Sequence, residues 1–569
     1  MLRLGVPLLL LVFLSPAQAA DPLSYVPDSV QLVGKIPQPR KFAEAITQLE
    51  ATQQSRELAP VKAALESIPA KRFFQMLGHV ERELGAKWPD LLDQIAGGGI
   101  AFGGHFANNA ASILVIHGTD EKQSEKAYEL LVSIITDELQ RQGAPNKPKR
   151  ATENGVEVTE FSPELLSARI GSAILVSNKR DFLAQSLRVA AVRKPGSIRT
   201  RKALADAEKL LPKDPLAFVW IDFASVKKDQ AAQDFFANTR KDFLQTLVVG
   251  GTIDCLRRSD FVAAGLYQEK TGLRLAVRLP AGRSEFPPEF ALHVPPEKGQ
   301  LGSLPLLEPP GVVYSQSMYL DIGYYWKHRD KLINDEMRKQ LEDGIANLNK
   351  VLPGSVKFGE LLESWGAHHR GVVLNHDAMP YKTIPIVRFP AFGYVATMRD
   401  PKFATGVESS LRAAGLIASL QLGLKQSEVE YDGVTIVAYR FPENKPFPDD
   451  PDNIRFNFEP CFAKVDNQFV AASTLEACKK VIAEVRRTHT VKGSPAVWRG
   501  KAFAAGGAKL LYDLPDPLIT DAILSGGLSL DEARKQVDAI GAWLKKLGTV
   551  RIEIDEAETE YKFDVVWTK

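Results

Sequence analysis

Apolar and polar residues alternate along "ENGVEVTEFS" (residues 153–162) and again along "YDGVTIVAYRF" (residues 431–441). A period of two sends successive side chains to opposite faces of a strand. Both stretches open on a polar residue followed by Gly and Val, so each predicts a strand leaving a tight turn. Their surroundings correspond as well. "ASILVIHGTDEKQSEKAYELLVSIITDEL" (111–139) predicts a strand, then a helix with Tyr128, Leu131, Ile135 and Leu139 on one face. "FGYVATMRDPKFATGVESSLRAAGL" (392–416) predicts the same order, with Phe403, Val407 and Leu411 aligned. Asp400–Pro401 and Asp120 mark the helix starts, where a carboxylate accepts orphan N–H groups and proline loses nothing.

Downstream, "ARIGSAILVSNKRDFLAQSL" (168–187) and "AKVDNQFVAASTLEACKKVI" (463–482) each predict strand, turn, strand and helix. The turns are Gly171–Ser172 and Asp466–Asn467, residues that tolerate positive φ. Ser473 with Glu476 predicts a capping box, and Asn178 with Asp181 a looser one. "PLAFVWIDFASV" (215–226) and "GAKLLYDL" (507–514) predict apolar strands ending at Asp222 and Asp513, each followed by a helix. Closing strand pairs follow at 260–279 and 549–567; the openings, 26–36 and 308–318, correspond more loosely. This order predicts two diverged copies of one α+β unit, residues 20–283 and 284–569. Each would be a mainly antiparallel sheet packed with amphipathic helices on one face. The Pro/Gly-rich stretch at 279–300 predicts the linker, and "FPENKPFPDDPDN" (441–453) a surface insertion in the second copy.

Composition narrows the class. The chain has 569 residues, too many for one ordinary core, and 45% are hydrophobic, enough for buried cores. A formal net charge of +2 provides no long-range field for nucleic acid or an anionic membrane. At the N-terminus, Arg3, the apolar run "VPLLLLVFL" (6–14) and Ala17 with Ala19 form a secretory signal peptide over residues 1–19. The apolar run is shorter than the ~20 residues a spanning helix needs. The mature protein is therefore expected to be soluble and extracytoplasmic, either periplasmic or secreted, with no integral membrane segment. Cys255, Cys461 and Cys478 have no CxxC spacing and read as buried thiols, although Cys461 and Cys478 could pair.

Candidate chemistry is sparse. "AGGGIAFGGH" (96–105) lacks both a Walker sequence and GxGxxG spacing, and predicts a turn into a strand. "SWGAHHRGVVLNHD" (364–377) gathers Trp365, His368, His369, Arg370, His376 and Asp377, the residue types of a zinc or iron site. Adjacent histidines on a strand point to opposite faces, which opposes a shared metal. Tyr319, Tyr324, Tyr325 and Trp326, beside Lys327, His328 and Arg329, could stack on a sugar or an anionic group, or simply fill a core. Asp222, Asp321 and Asp513 stand where helix caps or strand-end catalytic carboxylates would stand. No catalytic, cofactor-binding or metal residue is assigned, and no cofactor is expected.

The signal peptide, "YVPDSVQLVGKI", "YDGVTIVAYRF" and "AKVDNQFVAAST" together resemble a group of uncharacterised exported bacterial proteins that carry a domain of unknown function. The likeness covers most of the mature chain. It implies a bacterial extracytoplasmic protein and no catalytic residues. The expected function is a non-catalytic binding or scaffold module whose partner is a small molecule or protein. A metal-dependent hydrolase using the 364–377 cluster is one alternative. The other is a carrier of lipid or another hydrophobic ligand, held between sheet and helices.

Overall fold

The computed structural model describes residues 21–569 except 107–109, 144–146, 193–195, 239–242, 296–299, 352–356, 378, 446, 448 and 515. The predicted signal peptide lies outside the described residues. The chain divides into two compact units. One holds residues 21–44 and 72–205, the other residues 45–71 and 206–569.

The first unit is built on β1 (Leu32–Ile36), β2 (Gly99–Gly104), β3 (Ser112–His117), β4 (Lys149–Glu153), β5 (Val156–Ser162), β6 (Leu165–Ile170) and β7 (Ala173–Ser177). They pair in the order β1-β2-β3-β7-β6-β5-β4, antiparallel throughout. Asn154–Gly155 closes the β4–β5 hairpin with both φ positive, the mirror-image turn that matches strand twist. Helix Glu121–Arg141 starts at Asp120, whose carboxylate accepts the Gln123 N–H. Its Tyr128, Val132 and Ile135 pack on Ile116, Phe161 and Ile174.

In the second unit, β8 (Ala217–Asp222), β9 (Phe261–Gln268) and β10 (Gly272–Leu279) form a meander. Next in the chain come β11 (Val312–Tyr319), β12 (Trp365–Leu374), β13 (Ala391–Met398), β14 (Lys425–Tyr431) and β15 (Val434–Arg440). They are followed by β16 (Cys461–Val465), β17 (Gln468–Ala472), β18 (Trp498–Phe503), β19 (Thr549–Glu556) and β20 (Tyr561–Thr568). β10 joins β20, and the order continues β19-β18-β11-β12-β13-β17-β16-β15-β14, again antiparallel. Asp432–Gly433 closes β14–β15 with positive φ at both positions.

The α+β class is as expected, but helices cover both faces of the sheet in the second unit. Helix Leu475–Arg487 packs Val481 and Ile482 onto Val395, Ile436, Ala463 and Val470. Helix Lys402–Leu422 packs Phe403 and Val407 onto Val437, Tyr439, Phe462 and Phe469. Neighbours such as Ile436 and Val437 are thus both buried. A strand covered twice is written as a continuous apolar run, and "TIVAY" is one.

Several local expectations change. "GAKLLYDL" is not a strand: Ala504–Asp513 is a helix, and Trp498–Phe503 before it is the strand. The short run Leu510-Leu511-Tyr512 suits either state until length decides. Asp513 consequently ends a helix, whereas Asp222 and Asp321 do cap helix starts, accepting from Ser225 and Tyr324 N–H. The second-copy cap is Thr474, not Ser473. Ser473 Oγ instead accepts the Phe392 N–H, and Asn178 Oδ1 the Ser112 N–H, tying neighbouring strands. The predicted linker at 279–300 contributes side chains to a core. Phe290, Leu292 and Val294 are buried, because the Pro-rich segment also carries large apolar residues. The 441–453 insertion leads into Phe456, which is buried against Tyr381.

Candidate ligand cavity

Strand register assembles an apolar wall from distant sequence. Met318 pairs with Trp498, Trp498 with Ile554, Ile554 with Phe563, and Phe563 with Val277. Paired residues share a face, so one row of large apolar side chains crosses five strands. Helix Phe243–Arg258 carries Val248, Val249 and Thr252 over this wall. A cavity of about 420 Å³ remains between helix and sheet, lined also by Gln316, Ile552 and Glu556. Val248 is 56% exposed and Val249 39%, so the helical side of the cavity opens to solvent.

Among the described residues, Glu556 is the one carboxylate lining this cavity. Burial pushes its carboxyl up to about 8, reinforced by Asp555 and opposed by Arg283. The group is thus mostly protonated at neutral pH, and its Oε2 has no hydrogen-bond partner. Across the helix backbone lies His293. A Cβ added at Gly251 would sit 3.0 Å from His293 Nδ1 and 3.3 Å from Glu556 Oε1. Glycine there lets the helix backbone approach both groups. His293 Nε2 donates to Leu247 O at 2.8 Å, which leaves Nδ1 as an acceptor, and that atom is also unpartnered. Burial lowers His293 to about 4, so it is neutral. Gly251 thus lies between His293 and Glu556, each of which has one buried polar atom without a hydrogen bond, Nδ1 and Oε2.

The histidine cluster separates. His368 Nε2 donates to Leu301 O at 3.0 Å, His369 Nε2 to Leu320 O at 2.9 Å, and His376 Nε2 to Phe389 O at 2.9 Å. His369 Nδ1 accepts from Tyr394 OH at 2.5 Å, so both of its nitrogens are engaged. Burial lowers all three imidazoles, and each is neutral. Among the described residues, no group of three His, Cys, Asp or Glu side chains is placed to hold a metal. His376, Asp377 and Asp513 do line one polar pocket of about 250 Å³, with Arg388 and Lys509. Asp377 is there paired with Lys480.

The aromatic patch divides too. Tyr319 and Tyr325 are buried, whereas Tyr324 stacks on His328 and Arg329 lies 3.9 Å over the Trp326 ring. In the glycine-rich stretch, Gly98 abuts His117, and Gly99, at φ +105°, opens β2. The three cysteines are free and buried. No helix among the described residues is long and apolar enough to cross a membrane. Sequence reasoning did not find Glu556 or the apolar row. The alternation in "VRIEI" could have marked Ile552 and Ile554 as one face of a strand.

No protein-family model matches the chain, and no curated protein matches it. Among solved structures it is similar to "Structure of crystal form I of TP0453", at 12% identity and a TM-score of 0.24, covering 47% of this chain and 82% of that chain. It is likewise similar to "Structure of crystal form IV of TP0453", at 11% identity and a TM-score of 0.24, covering 47% and 83%. Likenesses this slight carry no argument about fold or function.

Proposed function

We propose that this is an exported, non-catalytic binding protein, built from two copies of one α+β unit, that carries a hydrophobic small molecule in the cavity beside Glu556. The observation that carries the reading is the cavity itself. Its volume of about 420 Å³ falls in the range of small-molecule sites, and its wall is apolar apart from a few polar groups. The neutral carboxyl of Glu556 suits the hydroxyl or amide head of an amphiphile better than a cation. Export rests on the residue 1–19 pattern, and the resemblance to exported bacterial proteins points the same way. The duplication is supported by strand order. β1-β2-β3-β7-β6-β5-β4 in one unit has the same connectivity as β11-β12-β13-β17-β16-β15-β14 in the other. The turns Asn154–Gly155 and Asp432–Gly433 fall at corresponding hairpins.

The test is titration with an environment-sensitive apolar dye, N-phenyl-1-naphthylamine, followed by displacement with long-chain alcohols and monoacylglycerols. Val249→Trp, at an exposed position on the cavity rim, should weaken dye binding at least tenfold and leave the melting temperature unchanged. Dye binding that is absent, or unaffected by Val249→Trp, would refute the carrier reading.

A further inference from the structure

The strands that wall the apolar cavity have a second face, and it is basic. Arg499 and Lys501 lie two residues apart on β18 and pair across to Glu553 and Arg551 on β19. With Arg487 and Lys492 these side chains line a groove of about 460 Å³. Five cations and two carboxylates, Glu308 and Glu553, border it, although the whole chain carries a formal charge of only +2.

Ion pairing leaves part of this charge uncompensated. Lys501 pairs with Glu308 at 2.8 Å and Arg487 with Glu484 at 2.7 Å. Arg551 approaches Glu553 at 3.5 Å along its own strand. Lys492 forms no ion pair among the described residues, and Arg499 donates only to Ser303 Oγ and Leu304 O. Behind the groove is a further cation. Arg370 is 3% exposed and forms no ion pair within 4.0 Å among the described residues, although Glu484 acts on it from further away. It donates to Thr488 Oγ1 and Pro305 O, both on the groove wall, and to Gln468 Oε1. Its Nε has no partner, nor do the buried hydroxyls of Ser315 and Ser317, which pair in register with Lys501 and Arg499. Buried cations ordinarily come with a counter-charge. Here the carboxylate that acts on Arg370, the buried Glu484, is already paired with Arg487, so one carboxylate serves two cations.

We propose that this groove binds a multivalent oxyanion, a phosphate or pyrophosphate group carried on a small molecule or a lipid head. The guanidinium groups offer the forked donors that suit phosphate oxygens, and Lys492 and Lys501 add point charges. The groove and the apolar cavity lie on opposite faces of β18 and β19, so this site is independent of the carrier reading.

The experiment is calorimetric titration of the full mature chain with sodium pyrophosphate at low ionic strength. It is run beside co-sedimentation with vesicles of phosphatidylglycerol and of phosphatidylcholine alone. The double variant Lys492→Gln/Arg551→Gln alters two exposed side chains, so its fold is preserved, which thermal melting verifies. Saturable pyrophosphate binding that weakens about tenfold or more in the double variant supports the site, charge-assisted hydrogen bonds being that strong. Binding to phosphatidylglycerol vesicles alone, lost in the same variant, supports it with a lipid head as the source. No binding to either probe, or binding unchanged in the variant, overturns it.

Discussion

Replacing Glu556 by Gln removes one ionisable proton and keeps the shape, so its effect follows from protonation. In the unfolded chain this carboxyl has its ordinary value of 4.5; in the fold, burial raises it to about 8. The folded state therefore holds the proton over a window in which the unfolded state releases it. The stability that protonation confers is fully present below pH 4.5 and is lost progressively as pH rises towards 8. At pH 7 the loss amounts to about 3 kcal/mol, and near pH 5 to less than about 1 kcal/mol. Glutamine never ionises, and a neutral acid and an amide have similar desolvation costs. Glu556→Gln should thus be more stable than the wild type by about 3 kcal/mol at pH 7, with the gain shrinking to below about 1 near pH 5. Other titrating groups are common to both proteins and cancel in the difference. Urea unfolding at pH 5, 6, 7 and 8 measures it. Tryptophan fluorescence is the appropriate signal, because every tryptophan except Trp88 lies in the unit that contains Glu556. A stability difference independent of pH, or a variant less stable at pH 7, would refute the placement of this carboxyl in an apolar site. The same logic reaches the ligand: dye affinity should fall above pH 8 in the wild type and stay level in Glu556→Gln.

Gly415→Ala pits propensity against packing. Alanine should add about 1 kcal/mol of helix stability, yet its Cβ would lie 2.2 Å from the buried Tyr439 ring. Net destabilisation of about 1–3 kcal/mol is expected from urea unfolding, since overpacking costs that much. Asp321→Ala removes the cap on Tyr324 N–H and the ion pair with Arg399, and should lower stability by about 1–2 kcal/mol in the same assay. Burial raises the thiol of Cys255, and a hydrogen bond with Cys478, reinforced by burial, raises that of Cys461, so an aromatic disulfide reagent should leave both untouched in the native protein and label them after unfolding in urea.

Local features were legible in the sequence. The period of Tyr128, Leu131 and Ile135 gave a helix and its buried side, and the Asn-Gly and Asp-Gly pairs gave hairpins. Caps were less so. Ser473 and Asn178 sit where a cap would, but their side chains bond to strands that approach from elsewhere in the chain. The histidine cluster was dense in sequence and dispersed in space, because strand alternation and three separate carbonyls claim its imidazoles. The cavity shows the reverse. Met318, Trp498, Ile554 and Phe563 are far apart in sequence, and only register joins them. Glu556 stands in the acidic run "DEAETE", where nothing local distinguishes a buried carboxyl from a solvated one.

The cavity between helix Phe243–Arg258 and the sheet is proposed to hold an apolar ligand. Native mass spectrometry of the natively purified protein tests this when wild type and Val249→Trp are compared. A reproducible added mass of a lipid-like molecule is expected on the wild type, absent or strongly reduced in the variant. An unadorned polypeptide mass for both, persisting after incubation with monoacylglycerols, would contradict it.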